Sequence, residues 1–215
     1  MSRFNFQEFS CPVCSNVFTA KVVEAISNEG QDSDFFPHYV GENPLPYFIV
    51  QCPKCSFCAY PDDFSQYSKD IHPRQKQIKE ILEQPLAKKL SENARRYYLS
   101  GKIYEIKKRN PYYTGNLYLR GSWCCRVDSD RRGEIELQQL AVKFLKEAVD
   151  RSKISNPENL PIVMYLIGEI YRRLEDRASA REWFSNVEEF VYDQEQQWVV
   201  ELSKKQAELN EYYIN

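Results

Sequence analysis

Apolar positions change their spacing once along this 215-residue chain. Asn16–Ile26 alternates apolar with polar residues and is rich in Val, Phe and Thr, which predicts a strand. Tyr47, Phe48, Ile49 and Val50, within Pro46–Gln51, predict its partner. From Arg74 onward the apolar spacing becomes helical. Gln75–Glu83 reads as a short helix, and Leu86–Lys108 as a longer one with a break at Ser91-Glu92-Asn93. Asn110-Pro111 ends it, because proline has no N–H for the ladder and restrains the residue before it. Tyr112–Cys125 follows, then a charged loop at Arg126–Gly133, then a helix over Glu134–Ser152 broken by Asn156-Pro157. Pro161–Leu174 and Ala178–Val191 form the next pair. Gln194–Tyr213 is a terminal helix whose Trp198, Leu202 and Leu209 should cap the stack.

The helical part resembles tetratricopeptide repeats. Its clearest unit is Met164-Tyr165-Leu166-Ile167-Gly168-Glu169-Ile170-Tyr171, followed by Ala180-Arg181-Glu182-Trp183-Phe184. Gly168 lets two helices approach, Tyr171 fills the space beside it, and Ala180 with Phe184 supplies the facing surface. The short Glu175–Arg177 connection makes the two helices antiparallel neighbours. A degenerate unit runs from Tyr118 through Trp123 to Ala141, Leu145 and Ala148, and Gly101 with Tyr104 hints at a third.

Two short motifs carry the chemistry: Cys11-Pro12-Val13-Cys14-Ser15 and Cys52-Pro53-Lys54-Cys55-Ser56. Two thiolates three residues apart on a turn can face one ion, and two such pairs supply the four soft ligands of tetrahedral zinc. Cys11, Cys14, Cys52 and Cys55 are the expected ligands of a structural zinc. Cys58 repeats the spacing after Cys55, so it is an alternative ligand or a free thiol, with burial as a small hydrophobe the plainer reading. His38 and His72 are the chain's two histidines and the remaining candidates for a fourth ligand. A redox dithiol would need a helix after the first pair, where Phe18–Ala25 reads as a strand. Cys124 and Cys125, adjacent in a helix, read as core residues.

With zinc in place the fold class is α+β, mostly α. A small N-terminal β zinc ribbon occupies residues 1–70, and an antiparallel helical-hairpin array occupies 71–215. The long segment Ser27–Pro44 between the knuckles contains Asp32-Ser33-Asp34-Phe35-Phe36 and Tyr39. Its carboxylates read as turn caps, or as a divalent-cation or partner site.

Charge is segregated. Residues 1–70 hold 4 Lys/Arg against 9 Asp/Glu, 71–109 hold 11 against 4, and 110–215 hold 14 against 18. An acidic ribbon would repel a phosphate backbone. The basic segment is a solvated helix face, or a docking surface carried by Arg95, Arg96, Lys102, Lys107, Lys108 and Arg109 among Tyr97, Tyr98 and Tyr104. Seven glycines, none in a phosphate-binding loop, exclude a nucleotide-binding fingerprint. No run approaches a membrane span, and Met1-Ser2-Arg3-Phe4-Asn5 does not open a secretory signal, so a cytoplasmic location is expected.

Taken in order, the two Cys-Pro-x-Cys motifs, Asp32-x-Asp34-Phe35, Tyr39, Asn43-Pro44, Tyr47 and Asp63-Phe64 resemble the bacterial family called domain of unknown function 2225. The resemblance implies Gly, the usual residue of that family, after the second knuckle, where this chain has Ser56, followed by Cys58. The resemblance implies the zinc ribbon and the helices and no reaction.

These features suggest a zinc-stabilised scaffold whose helices present a groove to a protein or peptide. Tyr165, Tyr171, Trp183, Arg95 and Arg96 are the candidate contact residues, being types that dominate interface hot spots. Nucleic-acid binding through 71–109 is the alternative. An enzyme is the least supported class, since four cysteines close the metal shell and the chain has only two histidines.

Overall fold

The computed structural model describes residues 1–66 and 75–212. The expected boundary at 70/71 and His72 lie outside those residues.

Three separate two-stranded antiparallel ribbons form the N-terminal region. Strand β1 (Arg3–Ser10) pairs with β2 (Val17–Ala25), with Phe9 opposite Phe18 and Ser10 opposite Val17. Strand β3 (Asn28–Gln31) pairs with β4 (Pro37–Tyr39), and β5 (Val50–Gln51) pairs with β6 (Cys58–Ala59). Pro46–Gln51 is therefore not the partner of Asn16–Ile26. Leu45–Phe48 is a single helical turn, α1, with a proline in its first turn, where a missing N–H costs nothing and φ is already helical. The knuckles explain the pairing. Each reverses the chain, so each returns its incoming strand to its own outgoing strand.

The chain then becomes helical: α2 (Pro61–Gln66), α3 (Gln75–Leu82), α4 (Pro85–Lys89), α5 (Glu92–Ile106), α6 (Pro111–Val127), α7 (Arg131–Asp150), α8 (Leu160–Arg173), α9 (Arg177–Asn186) and α10 (Gln197–Tyr212). From α5 to α10 each helix packs on the next. The break expected near Ser91 is real, and Ser91 caps α5 by accepting from the Ala94 N–H. Asn110 caps α6 in the same way, with Pro111 at the first helical position.

The predicted loop Arg126–Gly133 shrinks to Asp128–Asp130, because α6 runs through Val127 and Asp130 caps α7 by accepting from the Gly133 N–H at 2.9 Å. Ser129 takes the left-handed conformation at φ 58°, and the Asp130 N–H returns to the Cys125 carbonyl. The α8–α9 connection repeats this device, with Glu175 at φ 65°, the Asp176 N–H on the Tyr171 carbonyl, and the Asp176 side chain accepting from the Ser179 N–H. Two hairpins thus close with the same three-residue turn.

Close approach between helices needs the glycines. A Cβ on Gly168 would stand 2.7 Å from the Phe184 ring, and one on Gly101 would stand 2.5 Å from the Tyr118 ring. The apolar interior is continuous from Phe9 and Phe57 of the ribbons through Tyr97 and Tyr118 to Ile170. A smaller cluster joins Tyr165, Phe184, Val199 and Val200. Buried tyrosines stitch the N-terminal third of the chain to α5 and α8, since a buried hydroxyl needs a partner. Tyr97 donates to the Leu45 carbonyl at 2.8 Å, Tyr104 to Asp63 at 2.7 Å, and Tyr165 to the Ser33 carbonyl at 2.7 Å.

Candidate metal centre

Cys11 and Cys14 sit on the turn between β1 and β2, and Cys52 and Cys55 on the turn between β5 and β6. The two turns are built alike. The Ser15 N–H bonds the Cys11 carbonyl at 2.8 Å, and the Cys11 N–H bonds the Asn16 carbonyl at 2.8 Å. In the second turn the Ser56 N–H bonds the Cys52 carbonyl at 2.9 Å, and the Cys52 N–H bonds the Phe57 carbonyl at 2.8 Å. Ser15 and Ser56 both lie in the left-handed region, at φ 56° and 60°. In both turns a side chain thus occupies a conformation that suits glycine.

The turns bring the four sulfurs to one point. Cys11 Sγ lies 3.5 Å from Cys55 Sγ, Cys14 Sγ lies 3.6 Å from Cys52 Sγ, and all four fall within 4.8 Å of one another. Zinc–sulfur bonds of about 2.3 Å at tetrahedral angles require sulfur separations of about 3.8 Å. A disulfide would require about 2.05 Å. The donor set therefore fits a tetrahedral ion and can hold one. Cys11, Cys52 and Cys55 are buried and Cys14 is half-buried.

The local electrostatics favour a cation. Burial pushes the Cys11 thiol up to about 11 and raises Cys55 further. Opposing this, the N–H groups of Val13 and Cys14 point at the Cys11 sulfur, and that of Phe57 at the Cys55 sulfur. For Cys14 burial is the largest single influence and raises the pKa, but the Asn16 N–H and the neighbouring thiols together outweigh it, and the pKa is lowered. A metal ion would offset the burial penalty and displace the protons, so its affinity falls as pH falls.

Cys58 stands outside the four-sulfur group. It is fully buried, its thiol donates to the Ser56 carbonyl at 3.4 Å, and burial raises its pKa. Cys124 and Cys125 are buried core residues with thiols raised by burial. His38 is committed elsewhere, with Nε2 at 2.7 Å from Asp32 Oδ1.

The Asp32–Phe36 segment has a function that local sequence did not reveal. Asp34 is completely buried. It accepts from Trp123 Nε1 at 3.0 Å and from Arg126 Nη2 at 2.6 Å and Nη1 at 3.2 Å, and Arg173 Nη2 lies 3.3 Å away. Arg126 Nη1 also reaches Asp32 at 3.1 Å, and its Nε reaches Glu134 at 2.9 Å. Buried Glu169 accepts from Ser33 Oγ at 2.6 Å, Arg172 Nε at 2.7 Å and Arg173 Nε at 2.8 Å. Burial alone would raise the Asp34 pKa, but Arg126 and Arg173 outweigh it and hold the carboxyl below its ordinary value. Phe35, at φ 64°, packs against Tyr165 and Trp198. The segment is a tether between ribbon and helices, neither a local cap nor a cation site.

The candidate contact residues divide by exposure. Tyr165 lies in the core against Phe35 and Phe184 and has no surface to offer. Tyr171 and Trp183 are half-buried, and Lys146 Nζ stands 5.6 Å and 5.9 Å over their rings. Arg95 is half-buried. Arg96 is tied to the Pro46 carbonyl at 3.0 Å and to Glu92 at 2.5 Å. Tyr97, Tyr98 and Tyr104, interleaved with the basic residues of α5, are buried and cannot stack on bases. No helix among the described residues is long and apolar enough to cross a membrane.

No curated protein and no solved structure matches the chain. A family model described as "uncharacterized protein conserved in bacteria (DUF2225)" matches residues 5–210. Of the residues that helped carry the resemblance, Asp34 ties the β3–β4 connection to α6, Asp63 ties α2 to α5, and Phe64 packs on Phe9 of the Cys11 hairpin. With the four clustered cysteines in place and the match running nearly end to end, the chain belongs to the DUF2225 family.

Proposed function

We propose that this protein is a cytoplasmic interaction scaffold in which one zinc ion holds the N-terminal ribbons and a tetratricopeptide-like array of helical hairpins receives a protein partner. The observation that carries the metal half is the convergence of four sulfurs within 4.8 Å on two turns of matching geometry. Four thiolates leave no open position for water or substrate, so the ion's contribution is structural. Clustered reduced thiols suit a reducing compartment. The partner half rests on the repeated α6–α7 and α8–α9 turns and on the partly open Tyr171 and Trp183 beside Lys146. Nucleic-acid binding through 71–109 has less support, because the tyrosines it would use for stacking are buried.

Elemental analysis of the purified protein should return one zinc per chain. Affinity capture with quantitative mass spectrometry should return a protein that the Tyr171→Ala/Trp183→Ala variant loses while keeping its zinc. Zinc-free preparations that keep the full thermal stability would remove the metal half. Captures identical between wild type and the double variant would remove the other.

A further inference from the structure

Two depressions on the helical array meet along the C-terminal half of α7. One, of about 610 Å³, lies between α7 and the end of α8 and is lined by Val142, Tyr171 and Leu174 together with charged residues. The other, of about 770 Å³, lies where the α5–α6 turn faces the end of α7. Glu147 and Arg151 belong to both, so the two form one trough. Its cations are Lys108, Arg109, Lys143, Lys146, Arg151 and Lys153, against the carboxylates of Glu105, Glu147 and Asp150. The chain as a whole carries −2, so this strip is positive on an acidic protein.

The carboxylates are partly spent. Glu147 pairs with Arg151 at 3.0 Å, and Glu105 pairs with Lys102 at 3.0 Å and accepts from the Tyr118 hydroxyl. Among the described residues, Lys108, Lys143, Lys146 and Lys153 have no carboxylate partner. Lys143 instead stands 5.2 Å over the Phe144 ring, and Lys146 donates to the Tyr171 hydroxyl at 3.2 Å. Unpaired ammonium groups beside an apolar floor suit a ligand with spaced negative charges and an apolar or aromatic anchor.

We infer that this trough is the docking site for an extended acidic peptide segment of a partner protein, with carboxylates over the α7 lysines and an apolar side chain on Val142, Tyr171 and Leu174. The inference rests on the scaffold reading and specifies its ligand. A nucleic acid is disfavoured, since the trough's three carboxylates interrupt any continuous phosphate track, whereas a peptide can space its charges around them.

Random peptides of about twelve residues would be displayed on phage and selected on the zinc-loaded full chain. The enriched peptides would then be synthesised with a fluorescent label and titrated by anisotropy, beside a labelled single-stranded RNA of similar length. Enriched sequences should be acidic with an aromatic or aliphatic anchor. Their binding should weaken about tenfold in Lys143→Glu/Lys146→Glu and in salt, with circular dichroism unchanged. Lys76→Glu, which alters an exposed cation of α3 away from the trough, should bind as wild type. Neutral or basic winners that lose affinity in Tyr171→Ala would overturn the acidic ligand and leave the scaffold reading standing. Selection of no peptide at all would overturn both. RNA binding that is tighter than peptide binding and lost in the same lysine variant would also overturn the inference.

Discussion

Replacing Asp34 by alanine should cost the folded protein about 3 kcal/mol. The substitution removes the acceptor for the buried Trp123 indole N–H and for two guanidinium N–H groups of Arg126. Leaving a buried donor unsatisfied costs about 1–3 kcal/mol, and hydrogen bonds to charged groups contribute about 1.5–3 kcal/mol each. Asp32 and Glu134 still face Arg126, and Glu169 still faces Arg173, so the guanidinium charges are only partly orphaned. The expected value therefore falls at the low end of the 3–5 kcal/mol typical of a broken buried pair, which is roughly 3–5. Against a total stability of about 5–15 kcal/mol this is large. Urea denaturation of the protein as purified, followed by circular dichroism at pH 7, measures it directly. A loss below about 1 kcal/mol, the range of exposed ion pairs, would refute the tether. The pH dependence gives a second check. The folded Asp34 pKa is lowered, so its stabilisation is fully present above the unfolded value of about 3.9 and disappears as pH falls through the lower folded value. The difference between wild type and variant should thus be flat near neutrality and shrink only below about pH 4.

Removing the metal with a chelator should lower the thermal midpoint of the whole protein in calorimetry, because the knuckles and the helices share one apolar interior. Cys52→Ser should reproduce that loss, whereas Cys58→Ser should retain one zinc per chain by elemental analysis, since Cys58 lies outside the sulfur cluster. Gly168→Ala should destabilise by about 1 kcal/mol in urea, because pushing the rigid Phe184 ring aside costs about 1–3 kcal/mol and alanine's helix propensity returns about 1. Ser56→Gly should raise stability by about 0.5–1 kcal/mol in the same assay, by relieving a left-handed residue at φ 60°.

The four clustered cysteines were legible as candidate ligands because Cys-x-x-Cys is a local device. A four-residue turn orients both of its sulfurs, so Cys11, Cys14, Cys52 and Cys55 could be named before their distances were known. Helix limits were legible where a cap or a proline marked them, as at Ser91, Asn110 and Asn156. They were misjudged at Arg126–Gly133, where charge suggested a loop. There Asp130 is a cap, and Arg126 extends α6 to reach Asp34 in space.

Strand pairing and the tether followed another logic. Phe4–Phe9 and Pro46–Val50 offer comparable apolar strings to Asn16–Ile26, and only the reversal at each knuckle selects between them. Likewise Asp34 and Arg126 are 92 residues apart, and nothing near either residue marks the other as its partner. Spacing along the chain was enough to establish what neighbouring atoms do together: the two thiols of each knuckle, the helical hairpins and their capped ends. The folded packing alone determined which carboxylate is buried, which tyrosines are structural and which lysines are left open. Those outcomes depend on desolvation and charge pairing between segments that meet only after collapse.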